Sequence, residues 1–215
     1  MSNEVCPLCH TTHTAIFSQD QQRLYWQCQH CCLVFVARAD LLSPEAERQH
    51  YLLHNNDVAD VGYRQFLSKL ANPLLSELGK EVKQGLDFGC GPGPLLAKML
   101  SEAGHAMQVW DPFFANNPDV LTRQYDFISC TEAIEHFVNP SREWQLWLEL
   151  LKPTGLLAIM TKYYPDAAAF TNWYYKRDPT HISFFSMQTF QWLAQQYHLQ
   201  VAFPTNDVVI FRKAG

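Results

Sequence analysis

The sequence predicts an α/β protein built on a doubly wound, mostly parallel sheet, with a small cysteine-rich module at its N-terminus. Three observations predict it. From Gly85 onward, short apolar runs alternate with amphipathic segments of helical length, which leaves successive strands parallel and puts helices on both faces. A glycine-rich turn joins the first of these strands to the first of these helices. Five of the seven cysteines fall within residues 1–40.

A chain of 215 residues is long enough for one substantial core and a small appendage. Hydrophobic residues make up 47% and charged residues 17%, which is ordinary for a globular chain and excludes a disordered one. The formal net charge is −5 and the basic residues are scattered, which disfavours a protein that grips nucleic-acid phosphates. No segment has eighteen consecutive apolar residues and the first residues lack a signal-peptide pattern, so a cytoplasmic protein off the membrane is expected. In that reducing compartment, cysteines serve as thiols or metal ligands rather than disulfides.

Residues 24–26 and 33–36 are short extended runs among the cysteines, and residues 1–40 read as a small hairpin module. Residues 41–84 read as a helical linker and lid, in which Ser43 caps a helix, Pro44 occupies its first turn and Asn55-Asn56-Asp57 marks a break. Residues 85–215 hold the main domain. Its first strand ends at Phe88, after which Leu95, Leu96, Met99, Leu100 and Ala103 recur at helical spacing until Gly104. Further strands are expected at 106–110, 126–130 and 156–161, with a helix from Asn139-Pro140 to about residue 151. Residues 162–185 are rich in Tyr and Phe without a period, a stretch long for an idle loop. Ser186 opens a last helix, and residues 200–203 and 208–212 flank Pro204-Thr205-Asn206-Asp207 as a terminal antiparallel hairpin.

The turn Leu86-Asp87-Phe88-Gly89-Cys90-Gly91-Pro92-Gly93 has glycine at three alternate positions, where a ligand can lie directly against the backbone. Eighteen residues after Gly93, at the end of the next strand, Asp111 can accept hydrogen bonds from both hydroxyls of a ribose. A dinucleotide turn reads G-x-G-x-x-G and faces a pyrophosphate. Here the pattern is G-x-G-x-G behind Asp87, and a carboxylate there repels a pyrophosphate but attracts the ammonium of an amino-acid moiety.

A D-x-G-x-G-x-G turn followed by an acidic second-strand end resembles the class I S-adenosylmethionine (SAM)-dependent methyltransferases, over roughly residues 85–161. The resemblance implies a Rossmann-like fold and SAM as methyl donor, with Asp87, Gly89, Cys90, Gly91 and Gly93 around its methionine part and Asp111 on its ribose. Residues 125–137 are similar to the family's fourth strand and following turn, which implies that Thr131 and Glu132 lie beside the cofactor. Leu150-Leu151-Lys152-Pro153-Thr154-Gly155 looks like the family's "LKPGG" turn, with Thr154 where glycine is commoner. The chain departs from the pattern between Asp111 and Asp126, which is too short for a helix plus a third strand. That region of the sheet is expected to be abbreviated, and no adenine contact is assigned.

Cys6-Pro7-Leu8-Cys9 and Cys28-Gln29-His30-Cys31 are two C-x-x-C pairs eighteen residues apart, the spacing of a structural four-cysteine zinc site in a zinc-ribbon-like module. Zinc on Cys6, Cys9, Cys28 and Cys31 would supply folding free energy that about forty residues cannot obtain from burial alone. The usual glycine after each knuckle is replaced by His10 and Cys32, so Cys32, His10, His13 and His30 compete as donors.

Two clusters are placed to carry chemistry. In Lys176-Arg177-Asp178-Pro179-Thr180-His181, aromatic neighbours would exclude water, and the His181 imidazole suits a general base with Asp178 beside it. This D-P-T-H resembles a segment in methyltransferases that carry a similar N-terminal zinc module, some acting on sugar carbons; the alternative is that Asp178 caps a turn and His181 is a structural histidine. The second cluster is Glu132, Glu135 and His136. In the quinol O-methyltransferases that it also resembles, E-x-x-E-H is implicated in divalent-metal binding. The simpler reading has Glu132 facing SAM while Glu135 and His136 stabilise the helix start. Tyr51, His54 and Tyr63 either fold over the cofactor as a lid or pack as surface aromatics. The expected function is methyl transfer from SAM to a small-molecule acceptor, such as a sugar, quinol or natural-product-like compound. The alternatives are an RNA or protein acceptor recognised by the zinc module, and SAM binding without catalysis.

Overall fold

The computed structural model describes residues 3–51 and 60–215. His54 and Asn55-Asn56-Asp57 lie outside the described residues, as does the side chain of Tyr51. The N-terminal strands β1 (Thr14–Gln19), β2 (Leu24–Cys28) and β3 (Val34–Val36) form an antiparallel meander. Helix α1 (Pro44–Tyr51) follows Ser43, whose hydroxyl accepts the Ala46 amide at 3.3 Å. Helix α2 (Val61–Leu78) is capped by Asp60, which accepts the amides of Gly62 and Tyr63 at 2.7 and 3.3 Å.

The chain then runs through β4 (Gln84–Phe88), α3 (Leu95–Glu102), β5 (Ala106–Trp110), β6 (Tyr125–Thr131), α4 (Pro140–Leu150) and β7 (Leu151–Met160). It ends with α5 (Ala167–Phe170), β8 (Ser183–Phe184), α6 (Met187–Gln196), β9 (Gln200–Ala202) and β10 (Val208–Arg212). The main sheet has the order β5-β4-β6-β7-β10-β9. Its β5-β4, β4-β6 and β6-β7 pairings are parallel, and β10 pairs antiparallel with β7 and β9. This is the expected doubly wound sheet with a terminal hairpin.

Alternation along the strands divides the core in two. Phe127, Ala158, Met160, Val208 and Ile210 pack with Leu67, Leu70 and Leu74 of α2 and Leu96 of α3. Their neighbours Ile128, Leu157, Ile159, Val209 and Phe211 pack with Trp144 and Trp147 of α4 and Phe190 of α6. The third-strand region is abbreviated as expected: between β5 and β6 there is only an Asp111–Ala115 bridge and a 3-10 turn at Pro118–Thr122, so β5 ends the sheet.

The strand β8 does not join the main sheet. It pairs with β3, giving a second sheet of order β1-β2-β3-β8. Tyr25, Val34 and Val36 of the N-terminal strands are buried with Phe170, Tyr175, Ile182 and Phe184. Burying one such aromatic contributes roughly 1.5–3 kcal/mol. Residues 170–184 therefore owe much of their structure to packing against the N-terminal module, and a stretch shaped by a distant partner shows no period of its own.

Candidate active site

Beyond Phe88 the chain turns through Gly89 (φ 76°) and Gly91 (φ 64°), left-handed conformations that glycine enters without strain. A Cβ at Gly89 would also lie 2.6 Å from the Ala133 Cβ. The amides of Gly89 and Cys90 donate to the Trp110 carbonyl at 2.8 and 3.3 Å. Asp111 completes the joint. Its Oδ2 accepts the Gly91 amide at 3.0 Å, and its Oδ1 accepts the amides of Phe113 and Phe114 at 2.9 and 3.0 Å.

A cavity of about 620 Å³ opens over this turn, lined by Gly89, Cys90, Gly91, Asp111, Thr131 and Glu132 among the residues singled out in the sequence. Tyr63 and Phe66 of α2 and Phe113 after β5 form other parts of its wall. Asp87 and Gly93 do not line it. Asp87 is buried beneath the turn, where it accepts the Ser129 hydroxyl at 2.8 Å and the Ala97 amide; burial pushes its carboxyl up to about 6 despite these donors. Gly93 is buried at the start of α3, its carbonyl accepting the Leu95 amide at 2.7 Å.

Glu132 adopts a left-handed φ of 48°, a strained conformation for a residue with a side chain. Its Oε2 accepts the Tyr175 hydroxyl at 3.1 Å, whereas its Oε1, like the Thr131 hydroxyl, is buried with no hydrogen-bond partner among the described residues. Burial pushes Glu132 up to about 7, against the pull of Lys162 and Tyr175. Glu135 is fully buried and accepts the hydroxyls of Tyr175 and, at 3.0 Å, Thr161. Burial and the neighbouring Glu132 charge push it up to about 8. Since Tyr175 has one hydroxyl proton to share between two carboxyls, a proton held by the pair relieves their repulsion.

Asp178, His136 and His181 line the same cavity. The His181 Nδ1 lies 2.7 Å from the Tyr175 carbonyl and the His136 Nδ1 lies 3.1 Å from the Thr180 carbonyl. A carbonyl only accepts, so each Nδ1 carries a proton, and the tautomer that each ring takes when neutral has its basic lone pair on Nε2. Asp178 accepts the amide and hydroxyl of Thr180 at 2.8 and 2.5 Å, and its carboxylate lies 3.3 Å from His50 Nε2 and 3.9 Å from His181 Nε2. Burial raises the Asp178 pKa, but the Thr180 donors and the two histidines outweigh it and hold the carboxyl below its usual range. The ligand atoms of Glu135, His136 and His181 lie within 4.8 Å of one another, a grouping that includes His181 and leaves out Glu132. Glu47, Phe66, Phe113 and Phe114 on the wall belong to no motif, and only their place in the fold reveals them.

Away from the cavity, the sulfurs of Cys6 and Cys31 are 3.6 Å apart and those of Cys9 and Cys28 are 3.4 Å apart, all four within 4.8 Å of one another. Zinc bound tetrahedrally at about 2.3 Å sets sulfurs about 3.8 Å apart, so the donor set fits that ion. His10 (φ 61°) and Cys32 (φ 60°) take the left-handed conformation at the two positions where glycine is usual. Cys32, His10, His13 and His30 stand outside the four-sulfur group.

A sequence profile of the methyltransferase domain matches residues 61–202, most of the chain. The chain belongs to this family of methyltransferases. No curated protein matches it in sequence. Among solved structures, a 1,6-didemethyltoxoflavin N1-methyltransferase of Burkholderia thailandensis, with 1,6-didemethyltoxoflavin and S-adenosylhomocysteine bound, shares the methyltransferase fold at TM-score 0.54 and 18% identity, over 92% of this chain and 98% of that one. An O-methyltransferase family protein from the same organism matches at TM-score 0.52 and 18% identity, and covers 69% of this chain but only 57% of its own. A chain from the complex between the Haloferax volcanii Trm112 methyltransferase activator and a methyltransferase matches at TM-score 0.51 and 13% identity, over 79% and 98%. At such identities the likeness is one of fold. Among the described residues, no helix is long and apolar enough to cross a membrane.

Proposed function

We propose that this methyltransferase moves a methyl group from SAM to a small-molecule acceptor bound in the same cavity. The observation that carries the reading is the convergence of the glycine turn, Asp111 and the Asp178–His181 segment on one space of about 620 Å³, well within the range of about 300–1,000 Å³ typical of small-ligand sites. Asp111 would accept the ribose hydroxyls with lone pairs its three amides leave over. The Glu132 and Thr131 side chains line the cavity beside the glycine turn, and a small rotation that brings their buried, unpartnered oxygens to its surface would let them meet the ammonium of the methionine part. Asp87 would support that end from below by fixing the start of α3, and Phe113 would cover the base.

Methyl transfer is an in-line displacement at the sulfonium-bound carbon, so the protein's main task is alignment, with removal of a proton where the acceptor atom is oxygen or carbon. His181 would take that proton on Nε2. The Tyr175 carbonyl holds the required tautomer, and Asp178 stabilises the imidazolium that forms. The Burkholderia enzyme of the same fold is solved with a small heterocycle and S-adenosylhomocysteine together, an arrangement we carry to this cavity. The net charge of −5 weighs against RNA as acceptor. Cys6, Cys9, Cys28 and Cys31 would hold a structural zinc ion, and thiolates of that kind suit a reducing cytoplasm.

Isothermal titration with SAM and S-adenosylhomocysteine, followed by a methyl-release assay over pooled metabolites and RNA, tests the reading. Binding of both nucleosides and turnover with metabolites are expected. Absence of binding overturns the donor, and turnover with RNA alone overturns the acceptor class. Elemental analysis of unchelated protein should find one zinc per chain, and its absence overturns the metal.

A further inference from the structure

Arg23 lies in the turn between β1 and β2 and is only 9% exposed. Its guanidinium reaches the segment that carries Asp178 and His181. Nη2 donates to the Lys176 carbonyl, and Nη1 lies 3.1 Å from the His181 carbonyl, 3.3 Å from that of Asp178 and 3.4 Å from that of Pro179. Four carbonyls of one irregular loop thus converge on one planar, permanently charged donor group. The Asp178 carbonyl also accepts the His181 amide at 3.2 Å, so the guanidinium matters most to the carbonyls of Lys176 and His181.

The turn that presents Arg23 is itself fixed. Asp20 Oδ1 accepts the amides of Gln22 and Arg23 at 3.0 and 2.9 Å, and its Oδ2 accepts Lys176 Nζ at 2.5 Å and the Tyr25 hydroxyl at 2.9 Å. On β3, the Val36 amide donates to the Ile182 carbonyl at 2.9 Å. The N-terminal module therefore grips both ends of residues 176–182 through Arg23 and Val36, neither of which lines the cavity. The glycine turn and Asp111 are built from the main sheet alone, with no contact of this kind to Arg23.

We propose that Arg23 is a positioning residue for the His181–Asp178 pair, so that the cysteine module governs the acceptor side of the cavity and leaves the SAM side unchanged. The inference rests on the proposed function for the meaning of those two sides. Pinning the Lys176 carbonyl fixes the peptide plane that follows the Tyr175 carbonyl, and pinning the His181 carbonyl fixes the backbone that carries the imidazole whose Nδ1 meets that Tyr175 carbonyl. Arg23 thereby acts on the tautomer of His181 through the loop.

The test compares Arg23→Gln and Arg23→Lys with the wild type in the full chain. Imidazole ¹⁵N spectra, assigned with His181→Gln, read the tautomer. Amide exchange over residues 176–182 reads the loop, and titration with S-adenosylhomocysteine reads the donor side. In Arg23→Gln, the His181 pattern should change from one tautomer to an average, with loop exchange about tenfold faster or more and nucleoside affinity within about twofold. Lysine keeps the charge without the fork and should give a smaller change in the same direction. If the glutamine variant does not fold, the lysine variant carries the comparison. An unchanged tautomer and unchanged exchange overturn the proposal, as does a loss of nucleoside affinity that parallels the loop change. Failure of the wild type to bind the nucleoside overturns the proposed function instead, while the spectra still judge the Arg23 clamp.

Discussion

The Asp111 carboxylate accepts the Gly91 amide at 3.0 Å, so the residue that follows β5 holds the turn that follows β4. It also accepts two amides from its own side, Phe113 and Phe114. Asp111→Ala should therefore loosen the turn and remove an acceptor for ribose hydroxyls. Affinity for S-adenosylhomocysteine should fall by about 1–3 kcal/mol, roughly 5- to 150-fold. Calorimetric titration reads it, and unchanged affinity would remove the ribose from this place.

Gly89 is constrained twice, by its φ of 76° and by the Ala133 Cβ that an added methyl would meet at 2.6 Å. Gly89→Ala should lower both the melting temperature and nucleoside affinity. Pairing it with Ala133→Gly removes the collision but leaves the left-handed strain of about 1–2 kcal/mol. The double variant should recover part of the lost stability. Full recovery would show that the backbone conformation carries no cost.

Glu132 and Glu135 hold protons more tightly in the folded chain, at about 7 and about 8, than a glutamate does at its ordinary value of 4.5. Groups raised in this way contribute stability that is fully present below the unfolded pKa and is lost as pH rises through the folded one. The window here runs from the ordinary glutamate range up through 7 and 8, and the pair titrates as a unit. Urea midpoints of the wild type should fall between about pH 5 and about pH 8. Glu135→Gln removes one ionisable member and should flatten that slope. Equal slopes for both proteins would mean that the pair sheds no proton in this window.

The sequence was most legible where local chemistry dictates local structure. Glycines at 89 and 91 announce a left-handed turn, alternation from Gly85 onward gives the parallel strands, and the short span between Asp111 and Asp126 shows that a strand is missing. It was least legible where a partner far along the chain supplies the order. Residues 162–185 show no period because Phe170, Tyr175 and Phe184 face Tyr25 and Val36 of the other module. For the same reason no motif marks Arg23, whose acceptors lie about 150 positions away. Asp87 is the converse case: its place in the glycine motif suggested a ligand contact, yet Ser129 and Ala97 turn its carboxylate under the turn. Among the described residues that line the cavity, Thr131 and Glu132 each carry a buried oxygen with no hydrogen-bond partner.

Cys32 follows the second cysteine knuckle at φ 60°, a conformation that costs a residue with a Cβ about 1–2 kcal/mol. Its backbone contacts do not depend on the thiol: its amide donates to the Cys28 carbonyl at 3.1 Å and its carbonyl accepts the Tyr164 hydroxyl at 2.6 Å. Cys32→Gly should keep both contacts and relieve the strain, less the entropy glycine adds to the unfolded chain, for a gain of about 0.5–1 kcal/mol. The sulfur lies outside the group formed by Cys6, Cys9, Cys28 and Cys31, so the zinc proposed for that group should be retained. A higher melting temperature with unchanged zinc separates a conformational role from a ligand role. If zinc is lost on this substitution, Cys32 is a ligand, and the four-sulfur group must be redrawn to include it.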